Sequence, residues 1–205
     1  MRRLRLSLLL CLASLLGACA TTPPRDIDDV CSIFEEKRGW HKVAKKAEAK
    51  WGTSMHIPLA FMRQESGFRH KARPQRRRLL GFIPWRRPSS AYGYAQVVDG
   101  TWGDYIRATG EYWRVRHDFA DATDFVNWYI REAERRVGIP RSDAFSLYMS
   151  YHEGPAGYAR GTHRYKPWLD KVATGVQLRS QRYAAQYERC RESLKPGFLG
   201  RLFGR

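Results

Sequence analysis

At 205 residues, with 43% hydrophobic and 13% aromatic content, the chain has enough apolar material for one packed domain and too little length for two. That composition excludes a coreless chain. The formal charge of +17 directs it to an anionic surface, whether nucleic acid, an acidic membrane or an anionic cell-wall polymer.

The first residues choose among these. Arg2, Arg3 and Arg5 form a basic start, and residues 6–16 are an apolar run too short to span a bilayer comfortably. The run ends in Leu16-Gly17-Ala18-Cys19, which resembles the lipobox of bacterial lipoproteins. The resemblance implies cleavage before Cys19 and a diacylglycerol on its thiol. The alternative is an ordinary small-residue cleavage site with an incidental cysteine. Removing residues 1–18 leaves 34 basic against 20 acidic residues. An exported chain speaks against DNA or RNA as partner. Ala20, standing where an Asp usually retains such lipoproteins at the inner membrane, favours the periplasmic face of the outer membrane.

Cys11 leaves with the leader and Cys19 is acylated, so Cys31 and Cys190 remain. Cys31 lies on the stripe Ile27, Val30, Cys31, Phe34, and Cys190 falls seven residues after Tyr183 on a late helix. Both face inward in an oxidising compartment, which predicts a disulfide joining the terminal helices; the alternative is two free buried thiols.

Residues 19–25 read as a polar, proline-bearing tether, and 26–37 as a first helix. Trp40, Val43, Ala44, Ala47 and Trp51 stripe a second, ended by Gly52. In the third, Ile57, Ala60 and Phe61 recur at helical spacing and Glu65 continues the stripe. A carboxylate on the core side, at the negative end of a helix dipole, has its ionised form penalised twice, so its pKa rises. That suits an acid protonating a leaving oxygen near neutral pH. The competing reading is a core-edge Glu paired with an arginine.

Residues 69–88 break the pattern, with Arg76, Arg77, Arg78, Arg86 and Arg87 interleaved with Phe82 and Trp85. This insert reads either as a grip on an acidic polymer or sugar faces, or as a solvated loop. A compact apolar segment, residues 91–98, follows. Asp99 or Thr101 then caps a helix through Ile106, and Val126, Tyr129, Ile130, Ala133 and Val137 mark a longer one over 121–138. Ala144, Leu147, Tyr148 and Tyr151 stripe the next, predicted to stop at Glu153-Gly154-Pro155 before a glycine-rich loop over 154–161. The last helix covers 168–191. With no strand-length alternation, the prediction is a single mainly α domain over residues 26–192, followed over 193–205 by a basic and apolar tail. That tail reads as a frayed terminus or a membrane-surface segment.

Three pieces stand in order: Glu65-Ser66, Gly93-Tyr94-Ala95-Gln96, and Ser150-Tyr151-His152-Glu153-Gly154-Pro155. Over residues 44–178 the chain resembles the lytic transglycosylases with a soluble-lytic-transglycosylase catalytic domain, in the lysozyme-like superfamily. That family carries Glu-Ser, then Gly-Leu-Met-Gln, then Ala-Tyr-Asn-Ala-Gly. The resemblance implies a lysozyme-like single domain of goose-type-lysozyme architecture. It also implies cleavage of the β-1,4 bond between N-acetylmuramic acid and N-acetylglucosamine, with one carboxyl group and no metal or cofactor. Glu65 would protonate the glycosidic oxygen and then take the proton of the C6 hydroxyl as it closes a 1,6-anhydro ring. Gln96 and Tyr151 would line the cleft, Tyr94 would form a subsite wall, and Ser66 would orient Glu65 or merely end its helix. Tyr151 would place its hydroxyl near Glu65 or the N-acetyl group. The competing readings of Gln96 and Tyr151 are structural.

Two departures bear on this. His152 replaces the family's Asn and still donates a hydrogen bond, but it can also take up a proton. Glu153 replaces Ala, and a second carboxylate that held a water would turn the enzyme into a muramidase. The family's serine before Gly-x-x-Gln has no clear counterpart among Arg87, Ser89 and Ser90. The expected partners are peptidoglycan strands and, through the lipid, the membrane, bound by a monomer. A non-catalytic wall-binding lipoprotein is the third alternative.

Overall fold

The helix that carries Glu65 has almost no face left for water. Ile57, Leu59, Ala60, Phe61 and Met62 are all buried, and a helix this apolar sits inside a molecule rather than on it. The computed structural model describes residues 22–195 and builds everything else around that element. The described helices are α1 (Val30–Glu36), α2 (Arg38–Trp51), α3 (His56–Ser66), α4 (Asp99–Thr109), α5 (Phe119–Val137), α6 (Ala144–Ala159) and α7 (Pro167–Cys190). Helix α7 packs along α3, α6 and α1, while α5 packs on α2, α3 and α6. The architecture is mainly α and forms one domain, as expected. The calls on residues 1–18, on Cys19 and on residues 196–205 lie outside the described residues.

Several boundaries moved for local reasons. Helix α1 begins at Val30 because the Asp29 carboxylate accepts from the Ser32 amide at 3.1 Å, satisfying an N-terminal donor that would otherwise be orphaned. Neither Asp99 nor Thr101 caps α4. Val98 holds that position without a side-chain bond, and Asp99 pairs instead with Arg116 at 2.7 Å. Asp118 caps α5 by accepting from the amides of Ala120 and Asp121. The first segment of α6 does break at Gly154, as expected; the largest correction concerns the loop predicted over 154–161, whose first part is helical. Gly154 takes φ 72°, ψ 154°, and Pro155 restarts the helix through Ala159. Proline suits the first position of a helical segment, where its missing N–H costs nothing.

Residues 69–88 also hold a hairpin of two two-residue strands, β1 (Arg78–Leu79) and β2 (Ile83–Pro84), antiparallel with Arg78 opposite Pro84. Strands this short leave no alternation for a sequence to show.

Two fastenings tie the ends and the flank. Cys31 and Cys190 form a disulfide across 159 residues, with Cα atoms 5.9 Å apart. Closing a loop of that length removes about 5 kcal/mol of unfolded-chain entropy in the simplest polymer picture. Asp124 accepts from Lys50, Trp51 and Tyr105, each at 2.8 Å, joining α2, α4 and α5. Burial pushes its carboxyl up, and those three donors with Arg114 more than reverse it.

Candidate active site

Glu65 sits near the C-terminal end of α3, where Gly67 turns left-handed at φ 58° and closes the helix. Its Oε1 accepts one hydrogen bond, from the Tyr148 hydroxyl of α6 at 2.8 Å. Phe61, one turn earlier, packs edge-on against both Tyr148 and Tyr151, with ring centres 5.2 and 5.3 Å away. The carboxyl therefore emerges from an aromatic wall. Burial raises its pKa to about 7, and the Tyr148 bond pulls only partly the other way.

Glu65 faces a cavity of about 500 Å³. Its other walls come from Ser89, Ala91 and Gln96, from Phe125 and Tyr129 of α5, and from Tyr151, His152 and Glu153 of α6. A second cavity of about 590 Å³ shares Thr101, Tyr129 and Gly154 with the first, so the concave surface continues past it toward Trp128 and Arg136.

The Gln96 wall depends on one glycine. Gly93 has φ 81°, and a Cβ there would lie 1.9 Å from the Arg116 carbonyl oxygen. Only glycine lets the backbone come that close. Gln96 itself takes φ 48°, and its Nε2 donates to the carbonyls of Ala72 and Gly93, both at 2.9 Å. Both amide protons are thus spent on the chain. Gln96 lines the cavity with no amide proton left for a sugar and turns a lone acceptor, Oε1, to its surroundings.

The other expected residues divide. Tyr151 does line the cavity, but its hydroxyl donates to the Ala95 carbonyl at 2.6 Å. The hydroxyl on Glu65 belongs to Tyr148, three residues earlier on the same stripe, which the sequence reading left in the core. Of the two readings of Ser66, the second fits: it is the last residue of α3, buried, and its hydroxyl donates to the Met62 carbonyl at 3.1 Å rather than to Glu65. Tyr94 is no subsite wall. It is 3% exposed and stands edge-on to Trp40 and Phe119 in the core, where burial lifts its phenol to about 12. His152 lines the cavity, its ring edge-on to Trp168 at 5.0 Å and its Nδ1 2.9 Å from Glu153 Oε1. Of the three residues near the missing serine, Ser89 reaches the cavity, Ser90 accepts from the Asp99 amide, and Arg87 turns to the Pro74 carbonyl.

Glu153 is the second carboxylate on the cavity wall. Lys166 Nζ sits 2.6 Å from it and the Thr162 hydroxyl also donates to it. Those two donors, Lys166 first, hold its pKa down at about 2. Among the described residues no group of three or more His, Cys, Asp or Glu could hold a metal ion.

A high-pKa carboxyl on an aromatic wall, facing a cavity that shares Thr101, Tyr129 and Gly154 with a second one, is what the Glu-Ser motif led one to expect. A family profile described as Transglycosylase SLT domain matches residues 7–190. The chain belongs to that family. No curated protein matches it. Membership makes this SLT domain part of the peptidoglycan lytic transglycosylase family and accounts for its lysozyme-like helical fold. Peptidoglycan is then the polymer it binds, and the cell wall its place of work. Among the described residues no helix is long and apolar enough to cross a membrane.

Proposed function

We propose that this SLT domain cleaves the β-1,4 bond between N-acetylmuramic acid and N-acetylglucosamine, with Glu65 as its single acid and base. The observation that carries the reading is the Glu65 carboxyl, raised to about 7 by burial on the wall of a groove. Tyr148 occupies Oε1, which leaves Oε2 to carry the proton toward the groove. The proton passes to the glycosidic oxygen as the C1–O bond breaks, and the muramyl N-acetyl group supports the charge developing at C1. Carboxylate Glu65 then accepts the C6 hydroxyl proton while that oxygen bonds to C1. The product is a 1,6-anhydro ring, and no water is consumed.

The muramidase alternative needs a carboxylate free to hold water. Glu153 is the candidate, and Lys166, Thr162 and His152 already engage it. Gln96 Oε1, Ser89 and His152 supply polar surface for the sugar chain, while the Tyr129 hydroxyl is spent on the Ser150 carbonyl at 2.8 Å.

The anchoring reading rests on Leu16-Gly17-Ala18-Cys19 and Ala20: a lipid on Cys19 holds a monomeric domain of residues 26–192 to the periplasmic face of the outer membrane. Labelled fatty acid should enter the chain and be lost in Cys19→Ala.

The catalytic reading is tested by mass spectrometry of digested sacculi. Products one water lighter than the hydrolytic ones should appear, and they should vanish with Glu65→Gln. Products with ordinary reducing ends would transfer the assignment to a muramidase. No products at all, with sacculus binding intact, would leave a wall-binding protein.

A further inference from the structure

The hairpin between α3 and α4 plays no part in the cavity around Glu65, yet its chemistry is sharply ordered. Its tip exposes Leu80 at 76%, Phe82 at 70%, Ile83 at 40% and Trp85 at 52%. Four large apolar side chains in water on one short turn are costly unless something covers them. Below the tip, Arg76, Arg77, Arg78, Arg86 and Arg87 form a collar. Backbone bonds from Trp85 to Arg77 at 2.7 Å and from Arg77 to Arg86 at 3.2 Å hold the two arms together under the tip. Between Gly67 and Val98 there are eight Lys and Arg residues and no carboxylate. Among the described residues no acidic side chain pairs with any of the eight.

Two cavities lie in this collar. One, of about 390 Å³, is lined by Arg76, Trp85, Arg86 and Arg87. The other, of about 560 Å³, has Arg69, His70, Lys71, Arg73 and Arg87 among its lining residues, with Thr22 and Pro23 beside them. Thr22 lies three residues after Cys19 in the sequence.

We propose that the hairpin docks this domain on an anionic lipid bilayer. The apolar tip enters the boundary between headgroups and acyl chains, and the arginine collar takes the lipid phosphates. Apolar residues over a basic band, with a tryptophan at the junction, match the layering of that boundary. A glycan strand is the poorer fit, since Leu80 and Ile83 offer nothing to a sugar face. A docked hairpin also aims the site: Ser89 and Ala91, just past its second arm, line the Glu65 cavity. Docking does not depend on the chemistry assigned to Glu65, and the test needs no glycan cleavage.

The test uses the chain from Ala20 onward, which keeps every described element and the disulfide but lacks the cysteine that would carry lipid. Flotation with phosphatidylglycerol–phosphatidylethanolamine vesicles should show at least about tenfold stronger partitioning than with phosphatidylcholine alone. The triple variants L80S/F82S/W85S and R76Q/R77Q/R78Q should each lose about tenfold or more on the anionic vesicles. Both should keep the parent melting temperature, since none of those side chains belongs to the core. Vesicle binding equal to the parent's in both variants would overturn the proposal and move lipid affinity to residues 196–205 or to diffuse charge. A parent that ignores vesicles would overturn it too, as would variants that keep vesicle binding and lose sacculus binding instead.

Discussion

Glu65 and Glu153 share one cavity and ionise at opposite ends of the carboxylate range, about 7 against about 2. Their chemistry is identical, so the difference lies in what each is given. Glu65 receives burial and one neutral hydroxyl; Glu153 receives a lysine, a second hydroxyl and a histidine. An acid that must release and recover a proton is kept short of cations, and a carboxylate that fastens α6 to the start of α7 is saturated with donors. In a chain of net charge +17, keeping cations away from Glu65 is the less probable arrangement. That makes it informative about function.

Breaking the first carboxylate has the largest expected effect. Glu65→Gln should lower sacculus digestion by about 10²–10⁴-fold, the usual worth of a general acid and base. It should also stabilise the fold at high pH. The folded pKa of about 7 lies above the unfolded value of 4.5. The folded state therefore holds the extra proton between those values, and stability falls as pH rises through them. Replacement by Gln removes that cost, a gain of about 3 kcal/mol at pH 8 that shrinks to nothing near pH 4. Thermal melts of the two proteins across that range measure it.

Tyr148→Phe sharpens the contrast by stripping Glu65 of the one side-chain hydrogen bond it has among the described residues. That bond lowers the carboxyl pKa, so its loss raises it further. The alkaline limb of the pH–rate profile should move to higher pH. The rate near neutrality should fall roughly tenfold, because the proton on Oε2 is no longer oriented. A limb that stays in place would detach Tyr148 from the acid.

Glu153→Gln addresses the other side. Its lowered pKa is worth stability above pH 4.5 that is lost as pH falls toward 2. Lys166 is 39% exposed, so the expected loss at pH 7 is only about 1 kcal/mol. Anhydro products should persist; their replacement by hydrolytic ones, or their disappearance, would give Glu153 a chemical role. The smallest effect belongs to His152→Asn, which restores the family's residue and should shift stability by about 0.5 kcal/mol or less.

The helices and Glu65 were legible because both follow from apolar spacing, and α3 buries the very positions its stripe marks. The roles of neighbouring side chains were not. Tyr148 and Tyr151 occupy one stripe three residues apart, and periodicity cannot say which hydroxyl meets Glu65. Nor could spacing show that Gln96, at φ 48°, spends its amide on the carbonyls of Ala72 and Gly93. Tyr94 fell inside a motif and was read as functional, whereas tertiary packing turned it to the core; of the two readings of Ser66, the one in which it ends its helix fits. The helical segment after Gly154 was hidden because a Gly-Pro pair usually ends a helix, and here it ends one and at once begins the next.

The most direct test is titration of the Glu65 carboxyl carbon by NMR, its signal assigned by absence from Glu65→Gln. A midpoint near 7 is the result expected. A midpoint near 4.5 would mean a solvated, ionised side chain, unable to deliver a proton at neutral pH, and would contradict the single-acid account.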